Sequence, residues 1–373
     1  MAVIMNAGFS GSYQPGEVEF LLRPLQLETT SLQERERLIQ SGQCHYSEMI
    51  GPEDAPTRER LRLFRRALAV NEDQFANDIA KLADGIVSSV IGDEVTLVSI
   101  ARAGTPVGVL LLYRLRQIAP HLRVAHYSIS VIRDRGVDTV ALENILKWHQ
   151  PESLRFVDGW TGKGTIASEL RRSLARWTQG PRGLNSGLWV PLDVSGVAAG
   201  AASNRDYLIP SSLLGGTISG LVSRSVLPRT RINQPDFHGC VLLGHLRRYD
   251  LSRWFIDHMT KKVSIIPPGS AGDGLFGSDL ARQNAASQCL RVMLDRYRLS
   301  DVNRIKLGIG ETVRVLLRRL PKVVLMNNAI NEDDAGLIEE LAAARGVPVR
   351  REEDLFFSAV AVIENADSTT TTQ

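Results

Sequence analysis

A chain of 373 residues is longer than one ordinary domain, so a larger and a smaller unit are expected. Its composition, 43% hydrophobic and 23% charged, excludes wholesale disorder, and a net charge of +3 is too balanced to name a nucleic-acid or membrane partner by itself. Cys44, Cys240 and Cys289 are odd in number and scattered, which excludes a disulfide framework or a paired-cysteine zinc site and favours a reducing compartment. Residues 1–6 lack the basic stretch and long apolar run of a signal peptide, and no apolar stretch of spanning length follows. A cytoplasmic location without a membrane partner is therefore expected.

In chain order, residues 57–91 place Leu, Phe, Ala and Ile at helical spacing, as one or two amphipathic helices. Residues 95–100 read as a strand, 101–106 as a turn and 107–115 as a helix; 124–131 is the next strand and 141–148 the next helix. The strand 154–157 enters a glycine-rich loop, and a helix follows over 166–177. This alternation predicts an α/β fold with a mostly parallel sheet flanked by helices. A Pro- and Gly-rich stretch at 265–277 marks a boundary. It predicts a large unit over 1–264, a linker over 265–285, a small α/β unit over 286–365 and a polar, disordered tail over 366–373. Within the small unit, 306–310, 323–326 and 357–363 have strand character, and 311–320 and 333–345 have helix character.

The loop Asp158-Gly-Trp-Thr-Gly-Lys-Gly-Thr165 joins a strand to a helix N-terminus. Unpaired backbone N–H groups and the positive end of the helix dipole make such a junction an anion seat, and Gly162 and Gly164 let the backbone approach closely. With Thr161, Lys163 and Thr165 they form a candidate phosphate cradle. It is not a P-loop, because Gly162-Lys163 is followed by Gly164 rather than Ser or Thr, and the dinucleotide fingerprint is missing too. A tight turn capped by Asp158 would account for the glycines alone. A second loop, with Arg102, Ala103 and Gly104, follows the strand 95–100 and is expected at the same sheet edge, where its cation and glycine suit a pyrophosphate.

The order and spacing of these loops resemble the phosphoribosyltransferases. That resemblance implies phosphoribosyl pyrophosphate or a nucleotide as ligand, Mg²⁺ accompanying it, and Asp158 on the ribose hydroxyls. It also implies a flexible loop over the site. The stretch 130–138 lies in that place, so Arg133 and Arg135 are expected to close on the leaving group, although a solvated charged turn explains the stretch equally. His45, Glu48 and His238, with Tyr46 and Asp206, are candidates to recognise the acceptor or act as its base.

Five further segments, Phe9-Ser-Gly-Ser-Tyr13, Gln43-Cys-His-Tyr-Ser-Glu-Met49, Asp206-Tyr-Leu-Ile-Pro210, Gly220-Leu-Val-Ser-Arg224 and Asp236-Phe-His-Gly239, resemble the bacterial StiP family. That family is associated with tellurium-resistance and stress gene clusters and has been described both as phosphoribosyltransferase-like and as a cysteine protease. Three functions stay open: a phosphoribosyltransferase, a cysteine hydrolase, and a non-catalytic nucleotide or RNA sensor. A hydrolase needs a thiolate activated by a histidine. Cys44, beside His45 in a polar loop, is the leading nucleophile. Cys240, two residues after His238, is the other, although Cys240 and Cys289 read more simply as small buried apolar residues.

Residues 289–364, around Lys306-Leu-Gly-Ile-Gly-Glu-Thr-Val-Arg314, resemble the Pelota-type RNA-binding domain. The resemblance implies that Gly308, Glu311 and Arg314 meet RNA at a helix start. Arg318 and Arg319 would reach phosphates from the same helix, while Glu339, Glu340, Glu352 and Glu353 oppose a uniformly basic surface. A domain that only covers the larger unit is the alternative.

Overall fold

The computed structural model describes residues 8–363, apart from 233, 271–273 and 320; the expected tail over 366–373 lies outside them. In chain order the large unit contains β1 (Glu19–Phe20), β2 (Arg23–Pro24), α1 (Leu32–Gln40), α2 (Arg58–Ser88), β3 (Glu94–Ile100), α3 (Gly104–Ile118), β4 (Arg123–Ile129), β5 (Val131–Ile132) and β6 (Gly136–Val137). It continues with α4 (Thr139–Ile145), β7 (Leu154–Val157), β8 (Trp160–Thr161), α5 (Thr165–Arg176), β9 (Leu188–Asp193), β10 (Gly200–Ser203), β11 (Gly239–Cys240) and α6 (Ser252–Ser264). The small unit contains α7 (Leu280–Tyr297), β12 (Ile305–Leu307), α8 (Ile309–Arg318), β13 (Val323–Asn327), α9 (Glu332–Ala343), β14 (Val349–Glu352) and β15 (Ala359–Val362).

The stretch 57–91 forms a single helix. Thr57 accepts from Arg60 N at its start, and Leu63, Phe64, Ala67, Leu68, Phe75 and Ile79 recur on its buried face. The main sheet runs β1-β4-β3-β7-β9-β10, with β8 also on β9, and every pairing is parallel. All seven residues of β3 are buried, as a strand covered on both faces must be. Alternation divides them: Leu97 packs with α2 and α3, whereas Val98 packs with Ala141 and Leu142 of α4 and Leu170 of α5. From β3 the chain crosses to β4 on one side, and from β7 it crosses to β9 on the other. The crevice beyond the ends of β3 and β7 is therefore a topological switch point, where α/β sheets bind ligands.

The small unit has a mixed sheet, β12-β15-β13-β14, in which only β13 and β14 are parallel. Its apolar core joins that of the large unit in one cluster containing Phe75 and Ile79 as well as Leu316 and Ile338. Polar ties cross the same seam: Asn71 Nδ2 donates to Asp334 Oδ1 at 3.0 Å, and Arg62 pairs with Glu340. Within the expected linker, Phe276 bridges to Ala201, and α7 begins at Leu280. No helix among the described residues is long and apolar enough to cross a membrane.

Candidate functional site

The two glycine loops emerge together at the switch point. A Cβ on Gly104 would lie 2.5 Å from Val157 O and 2.9 Å from Asp158 Cα, and one on Gly159 would lie 3.2 Å from Ala103 O. Backbone thus packs on backbone, and only glycine permits it. Gly164, at φ +77°, is the N-cap of α5 and supplies no side-chain cap, so the first N–H groups of this helix have no side-chain partner at the cap. Thr165 opens the helix and is half-buried.

The side chains of the cradle turn elsewhere. Thr161 is buried and donates to Asp193, which also accepts from the backbone of Gly196 and Ala198, so its hydroxyl closes a structural turn instead of facing a ligand. Lys163 Nζ donates to Val302 O at 2.7 Å and contacts Asn303 Oδ1 at 3.3 Å, both in the small unit. Burial and the nearby charges of Lys306 and Arg133 drive its pKa down to about 8. Asp158 is buried and accepts from Gly159 N; desolvation lifts its carboxyl to about 7, so it passes between acid and carboxylate near neutrality.

Arg102 is buried and commits Nη1 to Glu53 Oε1 at 2.7 Å and to Val222 O at 2.8 Å. Around residues 213–216 it meets two more guanidiniums. Arg60 Nε donates to Leu213 O at 2.7 Å, and a Cβ on Gly215 would lie 2.9 Å from Arg102 Nη2 and 3.5 Å from Arg318 Nη2. Arg318 stands exposed at the rim of the seam, where desolvation and the charges of Arg314 and Arg102 lower it to about 9. Glu53 is held below the usual carboxylate range by Arg102 and Arg318 despite its burial.

The stretch 130–138 is the antiparallel hairpin β5–β6 rather than a free lid, and it is pinned on three sides. Arg133 N donates to Tyr46 Oη at 2.9 Å, Arg133 Nη1 donates to Asn303 Oδ1 at 2.8 Å, and Asp134 N donates to Glu169 Oε2 at 2.9 Å. Arg135 reaches Glu48 Oε1 at 3.1 Å, and Arg229 takes Glu48 Oε2 at 2.8 Å, so Glu48 is clasped between two cations rather than open to an acceptor. His238 bonds Ser130 Oγ through Nδ1 at 2.9 Å, donates its backbone N–H to Asp138, and is lowered by burial. It fastens this hairpin.

The expected RNA-contacting residues face inward. Asp206 accepts from Ile309 N at 3.1 Å and from Ser358 N at 3.2 Å, so a carboxylate of the large unit occupies the start of α8. A Cβ on Gly162 would lie 3.1 Å from Glu311 Cγ, and Gly308 packs toward Asp206. Arg314 pairs with Glu311 at 2.6 Å and lies over the Trp160 ring at 5.8 Å. Gly308, Glu311 and Arg314 therefore line the seam between the units, not an open RNA-binding face.

The thiols divide clearly. Cys240 is fully buried, and desolvation pushes it up to about 12; Cys289 is buried and raised for the same reason. Both are core residues. Cys44 is half-buried next to His45, whose Nδ1 bonds Ser47 Oγ at 2.8 Å and whose buried Nε2 lacks a hydrogen-bond partner among the described residues. Burial, Arg135 and Arg133 lower the His45 pKa against the opposing pull of Asp134, whose Oδ2 lies 4.0 Å from Nε2.

No group of three or more His, Cys, Asp or Glu able to hold a metal ion occurs among the described residues. Glu53 and Glu311 are each neutralised by an arginine, which leaves Asp158 without a second free carboxylate at the loops. These residues do not build a seat for the Mg²⁺ expected from the sequence. A cavity of about 220 Å³ lies between α3 and α6, lined by Leu110, Tyr113, Arg114 and Thr260. It holds none of the groups gathered at the two loops.

Glu53, Arg60, Asn303 and Lys306 escaped the sequence reading because each joins the seam only through contacts distant in sequence. Asp206 carried a local signal, its tyrosine–leucine–isoleucine–proline continuation, but not its role as the cap of α8.

A parallel sheet with two glycine loops at its switch point and a mixed-sheet domain packed against it define a two-domain α/β protein. A family profile described as "Tellurite-like stress resistance cysteine protease StiP" matches residues 11–260, and one described as "PELOTA RNA binding domain" matches residues 284–365. The "Cysteine protease StiP" of Acinetobacter baylyi is 40% identical over 356 residues, covering 93% of this chain and 92% of that protein. The chain belongs to the StiP family, with a Pelota domain at its C-terminal end.

Proposed function

We propose that the large unit binds a phosphorylated, ribose-type ligand at the switch point of its sheet. The observation that carries this reading is the backbone-to-backbone packing of loops 101–104 and 158–164 beside the side-chain-free N-cap of α5, amid cations that outnumber their carboxylates. Desolvation first and the neighbouring cations second depress the pKa values of Lys163 and Arg318, and a bound phosphate would offset both. Asp158 is placed to exchange a proton or accept a ribose hydroxyl, and any Mg²⁺ would arrive on the diphosphate. The matching names do not speak for phosphoribosyl transfer, so the proposal concerns the ligand rather than that reaction. Calorimetry with phosphoribosyl pyrophosphate, with and without Mg²⁺, tests it. Binding that Lys163→Ala weakens is expected, and no heat from the intact chain would end this reading.

Cysteine hydrolysis is a second reading, favoured by the names of both the matching family and the 40%-identical relative. In this chain the chemistry falls to Cys44, because Cys240 and Cys289 are buried and held as thiols. Cys44 Sγ would add to the peptide carbonyl as His45 takes the thiol proton; that proton passes to the leaving amine as the C–N bond breaks, and water then releases the acyl group from sulfur. Proteolysis of casein that Cys44→Ala abolishes would support it; activity unchanged in that variant would sink it.

A further inference from the structure

The small unit sets its most basic helix, α8, along the seam with the large unit, with Arg314 and Arg318 at the solvent-open rim. Three observations fix this arrangement. Asp206 caps α8 from across the seam. Gly310 lies against the Trp160 ring, with a Cβ there 3.1 Å from the indole. Asn303, just before β12, accepts from Arg133 and contacts Lys163, so it ties the hairpin and the cradle to the small unit at once.

The result is a cationic wall contributed by two units. Arg318 comes to the Gly215 backbone beside Arg102, and Arg60 binds the carbonyl two residues earlier. Glu53 is the carboxylate these guanidiniums share, and Arg102 already holds it. Further along, Lys306, Arg314, Lys163 and Arg133 gather around Glu311, which Arg314 holds at 2.6 Å and Lys306 also faces. Gathering like charges between domains opposes their docking unless an anion joins them. Arg314 and Arg318 retain solvent contact, so an anion entering the seam reaches both.

We propose that the Pelota domain is the second wall of the ligand site, where Arg318, Arg314 and Lys306 join Arg102 and Arg60 to hold a diphosphate-bearing ligand, and that it is not an independent RNA reader. This rests on the phosphorylated-ligand reading above. The large unit's loops take the ligand's near phosphate, and the small unit's cations take its distal phosphate by charge-assisted hydrogen bonds.

Inorganic pyrophosphate is the probe, titrated calorimetrically into the full-length chain at fixed salt. Binding is expected, weakened at least tenfold by Arg318→Gln and by Lys306→Gln, each variant first shown by thermal melting to be folded. Binding that Lys163→Gln weakens but both small-unit variants leave unchanged would keep the ligand reading and overturn the second wall. No binding by the intact chain would remove both. Saturable binding of an RNA hairpin by the intact chain, lost in Arg314→Gln, would also overturn the proposal, since it requires this face to be open.

Discussion

Asp206 of the large unit accepts a hydrogen bond from the backbone N–H of Ile309, 3.1 Å away, and so caps the first turn of a helix in the other domain. A helix start leaves donors unpaired, and a carboxylate there satisfies them and meets the positive dipole end. Desolvation outweighs the backbone hydrogen bonds from Ile309 and Ser358 and lifts this carboxyl to about 7. The Asp206→Ala change is expected to cost about 1–2 kcal/mol in chemical denaturation, with faster hydrogen exchange in the first turn of α8. Unchanged exchange there would contradict the cap.

Asp158 makes a pH prediction with a definite sign. Its folded carboxyl titrates at about 7, against roughly 3.9 in an unfolded chain, so the folded state keeps a proton that the unfolded state releases. Its contribution to stability therefore falls as pH rises from about 4 to about 7 and is constant above that. Relative to Asp158→Asn, the wild type is expected to lose on the order of 2–4 kcal/mol across this window. The comparison with the variant matters, because His126, buried and lowered to about 4, pulls the opposite way over part of the same range. Parallel stability profiles for the two proteins would refute the assignment.

Gly104→Ala drives a methyl group into Val157 O and Asp158 Cα, backbone atoms that cannot rotate away. A loss of about 1–3 kcal/mol is expected from overpacking, together with weaker ligand binding, because both loops must separate. Gly244→Ala meets nothing within 4 Å and serves as the control. Equal melting temperatures for the two variants would show that the loops do not pack as described.

Thiol labelling at neutral pH is expected to modify Cys44 in the native chain and to reach Cys240 and Cys289 only on unfolding. Burial shields the latter two and keeps them protonated. Rapid native labelling of Cys240 would restore it as a candidate nucleophile.

Much of the scaffold was legible because its signals are local. The strand 154–157 coincides with β7, and 166–177 lies within one residue of α5, since apolar periodicity and the glycine loop mark both. β9 and β10 carried weaker signals. Pro191 interrupts the first, and the second, Gly-Ala-Ala-Ser, contains no β-branched residue. The shared position of the two loops was legible from topology rules, but the aims of their side chains were not. Thr161 serves Asp193, Arg102 serves Glu53, and Arg133 serves Asn303, each through a partner more than 30 residues away. The placement of Gly308, Glu311 and Arg314 at the seam was legible only as the alternative of a domain that covers the larger unit, since domain docking leaves no periodic trace.

The central claim is that a phosphorylated ligand occupies the seam between the two units. Phosphorus NMR of inorganic pyrophosphate tests it most directly. Adding the intact chain is predicted to broaden and shift the signal, and Arg318→Gln is predicted to return it toward the free position. A signal untouched by the intact chain would contradict the account.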